Sequence, residues 1–133
     1  MKAACLLGCI VGLALVGGCK SHPASAGNDR QLTATYRGRV LSTELPGGVR
    51  VPSVAAAAEM ALRHRGYSIT SKASTEDYAR IEGEPPKSGW GEKLVIRARQ
   101  TPSNTKVEIV AEPLGDQTLS RSVLDEMLVA LGQ

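Results

Sequence analysis

Few side chains in this chain have the types and spacing that chemistry needs. Its histidines are His22 and His64. Neither has a second His or Cys at ligand spacing, so no metal site and no cofactor is expected. His64 can act as a base in a Ser-His-Asp arrangement, since triad order varies between folds, but no Gly-x-Ser-x-Gly elbow accompanies it. Ser103-Asn104-Thr105-Lys106 has the Ser-x-x-Lys spacing of an activated serine, yet it falls at a turn rather than at a helix start. Lys87-Ser88-Gly89, the element that would complete such a site, precedes it, which inverts the usual order. Glu82, Glu84 and Glu92 offer carboxylates for acid–base work on sugars. The competing reading is solvated glutamates, because Trp90 is the only aromatic platform beside them. No catalytic residue is therefore assigned. The cysteines are Cys5, Cys9 and Cys19. Residues 20–133 have no disulfide, thiolate metal site or cysteine nucleophile.

The surroundings of Cys19 are more specific. Lys2 is followed by an uncharged apolar run, Ala3 to Gly18, of about 16 residues, where a spanning helix needs about 20. Polar residues follow at once, and no second apolar span occurs. The run fits a removable signal peptide. Its end, Val16-Gly17-Gly18-Cys19, resembles the lipobox of bacterial lipoprotein signal peptides. The resemblance implies diacylglyceryl transfer to the Cys19 sulfur, cleavage before Cys19, and further acylation of the new amino terminus. Each buried methylene adds about 0.8 kcal/mol of membrane affinity, so two or three chains hold firmly where one does not. Lys20 is not the aspartate that the resemblance associates with inner-membrane retention. In a cell with two membranes the expected site is the outer one, facing the periplasm.

Charge and size narrow the rest. Lys2 is the only charge within residues 1–18, so residues 19–133 carry +2 of the chain's +3. That is too little for nucleic-acid binding. Phe is absent, so the core must come from Val, Ile, Leu, Ala and Met. The expected organisation is residues 1–18 as cleaved signal peptide, 19–32 as lipidated cysteine and flexible tether, and 33–133 as one small domain. The thirteen tether residues after Cys19 reach about 40 Å when extended.

The domain's elements follow from periodicity. Thr33–Glu44 alternates and is predicted as one strand, stopped by Leu45-Pro46-Gly47-Gly48. Residues 52–65 form an alanine-rich helix with Arg63, His64 and Arg65 in its last turn and Gly66 after it. Tyr67–Lys72, Asp77–Glu84, Lys93–Gln100 and Lys106–Glu112 are strands, the last two forming a hairpin with Lys and Arg facing Glu across it. Asp116 caps a final helix over 117–131 with an apolar stripe from Leu119 to Leu131. The expected fold is α+β: a two-layer sandwich with a mostly antiparallel sheet of about five strands and two helices on one face, in the order β-α-β-β-β-β-α.

Tyr36-Arg-Gly, the alanine-rich helix, His64-Arg-Gly-Tyr-Ser-Ile-Thr and Leu114-Gly-Asp-Gln-Thr-Leu-Ser-Arg-Ser-Val-Leu-Asp-Glu-Met together resemble a family of small bacterial lipoproteins. That family pairs a lipobox with one βα…ββα domain. The likeness spans most of residues 33–131 and brings no site residues with it, because its motifs are packing and capping signals.

One surface remains. Arg37, Arg39, Arg80, Arg97 and Arg99 are predicted to point from the solvated sheet face, with Leu41, Val95 and Val110 among them. Such a face suits an anionic glycan, lipid head groups or a partner element, unless Glu82, Glu108 and Glu112 merely balance it. The reading is a membrane-anchored envelope lipoprotein, a non-enzymatic binding or scaffolding module. Its partners are the membrane through Cys19 and an envelope protein or anionic polymer. A small envelope hydrolase is the alternative.

Overall fold

The computed structural model describes residues 32–87 and 91–133. The expected signal peptide, Cys19, His22, and Ser88-Gly89-Trp90 lie outside the described residues. The elements are β1 (Ala34–Arg37), β2 (Val40–Pro46), α1 (Val51–His64), β3 (Ser68–Ser74), β4 (Tyr78–Glu84), β5 (Lys93–Gln100), β6 (Asn104–Glu112) and α2 (Gln117–Leu131). The fold is α+β. Six strands make one open antiparallel sheet in the order β1-β2-β6-β5-β4-β3. Helix α1 packs on β3, β4 and β5, α2 packs on β6 and β2, and the helices pack on each other.

The strand expected over 33–44 is two strands. Gly38 adopts φ of 64°, a left-handed value that a Cβ disfavours, and with Arg39 it forms a two-residue turn. Arg37 pairs with Val40 across it, so the sheet has six strands rather than five. The reversal also exchanges faces. Tyr36 pairs with Leu41 and shares its side of the sheet, so Leu41 is core at 1% exposure and Val40 takes the outer face.

The core lies between the sheet and both helices. Leu41, Leu45, Ile81, Leu94, Ile96, Val107 and Ile109 meet Val54, Ala58, Ala61 and Leu62 of α1 and Val123, Leu124 and Met127 of α2. The small alanines let α1 approach closely. Gly83 serves the same end on β4, since a Cβ there would sit 3.2 Å from Leu62 Cδ1 and 3.3 Å from the Tyr67 ring. Helix α2 starts where the Asp116 carboxylate accepts the Leu119 N–H at 2.8 Å. The helices are clasped by Arg65, whose guanidinium reaches Glu126 at 2.6 Å and also bonds Ser122. Among the described residues, the apolar core and its packed fringe run from Leu32 to Leu131.

Residues 32–133 should unfold in one cooperative urea transition. Ile109→Ala should lower its stability by about 2–5 kcal/mol, while Val129→Ala, at an exposed position, should change it by less than about 0.5 kcal/mol. Equal effects of the two would contradict this placement of the core.

Candidate functional site

The sheet's alternation sends Leu, Ile and Ala to the helices and long polar side chains to the other face. Register then fixes the neighbours on that outer face. At one end, Glu44, Lys106, Arg99 and Tyr78 line up across β2, β6, β5 and β4. The next row holds Thr35, Ser42, Glu108, Arg97 and Arg80. Behind it run Val40, Val110, Val95 and Glu82. Val95 is 0% and Val110 8% exposed, so this apolar strip is not a free contact surface.

The five arginines expected on one face are not all together. Arg80, Arg97 and Arg99 are neighbours on β4 and β5. Arg37 is on the same face but at the β1 edge, beyond β2 and β6. Arg39 sits in the β1–β2 turn and donates to the Pro113 carbonyl. Leu41 has left the face for the core. Two residues that sequence reasoning left out complete the cluster: Lys106, directly opposite Arg99, and Tyr78, opposite Arg99 on the other side. The parity of Lys106 was visible, but the register that sets it against Arg99 rather than against a glutamate was not. Tyr78, Arg97, Ala98, Arg99, Lys106 and Glu108 line a shallow depression of about 260 Å³.

Cations and acids of β5 and β6 face one another as expected, but among the described residues no ion pair joins the two strands. Lys93 stands opposite Glu112 and Arg97 opposite Glu108. The close pairs lie elsewhere: Glu82 binds Lys93 at 2.5 Å and Arg80 at 2.6 Å, and Glu108 binds Lys106 at 2.7 Å. Hydrogen bonds from Lys93 and Arg80 hold the Glu82 carboxyl below the usual carboxylate range, and Glu82 in turn raises both cations. Among the described residues, Arg97 and Arg99 have no carboxylate within 4.0 Å.

The residues that suggested hydrolysis are not brought together. Glu82 is kept ionised, the wrong direction for a general acid. Glu92 accepts the Gly115 N–H at 2.9 Å, and its carbonyl takes the Tyr67 hydroxyl at 3.2 Å, so it ties two loops. His64 is on the helix layer, its side chain 80% exposed, 3.4 Å from Glu126. Ser103 and Lys87 lie beyond opposite ends of the sheet. Among the described residues, no three of His, Cys, Asp and Glu converge on a metal position. No protein-family model matches the chain, and no curated protein matches it.

Because the folded-state pKa of Glu82 is depressed, its ion pairs stabilise the fold at neutral pH, and that contribution is lost as pH falls through and below the ordinary carboxylate range. Glu82→Gln should therefore flatten the acid limb of a plot of urea midpoint against pH. An unchanged acid limb would show that the pairs contribute nothing.

Proposed function

We propose that this chain is a membrane-anchored bacterial envelope lipoprotein, a non-enzymatic module that binds or scaffolds, lipidated at Cys19. The observation that carries the reading is Val16-Gly17-Gly18-Cys19 at the end of an uncharged run too short to span a bilayer. Small residues before the cut allow an extended backbone into a peptidase groove, and the thiol is the acyl acceptor. Residues 1–18 are removed, and 19–32 tether the domain. Among the described residues no helix is long and apolar enough to cross a membrane. In a cell with two membranes, Lys20 favours the outer one, with the domain facing the periplasm.

The binding reading draws support from the outer sheet face, where, among the described residues, Arg97 and Arg99 have no carboxylate within 4.0 Å. The hydrolase alternative has less behind it, because Glu82 is held ionised and His64 is on the other layer.

Metabolic labelling with a fatty acid tests the anchor. The wild-type chain should incorporate label and fractionate with membranes, whereas Cys19→Ala should lose label and either leave the membrane or stay unprocessed. Equal labelling and retention of the two would refute it.

A further inference from the structure

We propose that the cationic corner made by Arg97, Arg99 and Lys106, with Tyr78 beside them, docks the domain onto phosphate-bearing head groups of the bilayer that holds its anchor. The proposal rests on the anchored reading of Cys19 and adds a second point of attachment.

The first support is charge placement. Arg99 stands directly opposite Lys106, and Arg97 directly opposite Arg80. Like charges opposed across a ladder destabilise a sheet, so two such pairs side by side are a local cost. The acids at this end relieve it only in part, because Glu108, directly opposite Arg97, and Glu82 make their close pairs with Lys106 and Arg80. Glu108 is held by Lys106 at 2.7 Å, Glu44 accepts the Asn104 amide at 3.1 Å, and Glu76 is engaged by Arg50. Arg80 is satisfied by Glu82 at 2.6 Å. Asp77, in the turn before Tyr78, has no ion-pair partner among the described residues. Among the described residues Arg97 and Arg99 therefore have no carboxylate within 4.0 Å, and a phosphate is what a guanidinium fork pairs with best.

The second support is position. The chain enters the domain at Leu32 and Thr33, beside Glu44, Pro46 and Asn104. Glu44 pairs with Lys106, and Lys106 with Arg99, so the entry point and the corner share one end of the sheet. From β1 to β5 is three strand spacings, about 14 Å. A tether with a reach of about 40 Å spans that distance easily. The corner is thus confined near the surface that holds Cys19, at high effective concentration, and weak electrostatic docking suffices. Tyr78 adds an amphipathic ring of the kind that sits at head-group level. A soluble polyanion would need no such alignment with the tether.

The test uses the mature chain without its lipid, residues 19–133 with Cys19→Ser, sedimented with vesicles. One set is phosphatidylcholine alone; the other is phosphatidylcholine mixed three to one with phosphatidylglycerol. The domain should bind only the mixed vesicles, and added salt should weaken binding. Arg97→Glu/Arg99→Glu should weaken it about tenfold or more. Arg99→Glu should weaken it more than Arg37→Glu, which makes the same change in net charge at the far edge. Matched circular dichroism and melting of each variant exclude unfolding. The proposal is overturned by no binding to mixed vesicles, by equal losses for Arg99→Glu and Arg37→Glu, or by binding of dextran sulfate without binding of vesicles. Because this chain lacks the Cys19 thiol, failure here leaves the anchor standing, and an unlabelled Cys19 leaves the vesicle result standing.

Discussion

Helices on one side only of an antiparallel sheet force the two sheet faces to become different materials. Here α1 and α2 both pack against the side that carries Leu41, Ile81, Leu94, Ile96, Val107 and Ile109. Each strand has period two, so every second residue must then be tolerable without a helix over it. The chain meets that demand with Glu82 between Lys93 and Arg80, and with Glu108 beside Lys106. Exposed pairs of this kind add little stability singly, about 0–1 kcal/mol. Their consequence is order: they fix which cations are occupied and which are not. Arg97 and Arg99, left without a close carboxylate among the described residues, sit together because the strand register puts them there, and the proposed docking corner depends on that asymmetry.

The helix layer shows the complementary economy. Without phenylalanine, the core relies on close approach rather than on large side chains. Alanines along α1 and Gly83 under it bring the helix down onto β4. Arg65 and Glu126 then close the helix pair at 2.6 Å on the α1 end that faces α2. The same closeness makes the layer a packing surface, and His64, at its rim, has Glu126 as its side-chain partner among the described residues.

Periodicity made most of this legible. The residues over 93–100 and 117–131 read as the strand and helix that form there, because their alternation and stripe are unbroken and Asp116 and Gly132 mark the helix ends. The hairpin at Gly38 was hidden for a physical reason: a two-residue turn is too short to interrupt a run of β-formers, yet it exchanges the faces of everything after it. A second parity change is the irregularity between Ile69 and Ser71, which turns Lys72 toward the helices to meet Glu59 at 2.5 Å. The cationic corner was half visible. Arg80, Arg97 and Arg99 could be placed on one face from their own strands, whereas Lys106 and Tyr78 join them only through inter-strand register, which no single strand encodes.

Between the short apolar run and the domain stands one thiol, and the account requires that it carry lipid. The most direct measurement is the intact mass of the polypeptide recovered from cell membranes in detergent. The account predicts a chain that begins at Cys19 and carries diacylglycerol on its sulfur, with or without a further acyl group on its amino terminus. A mass matching unmodified residues 19–133, or the full 133-residue chain with nothing attached, would contradict it.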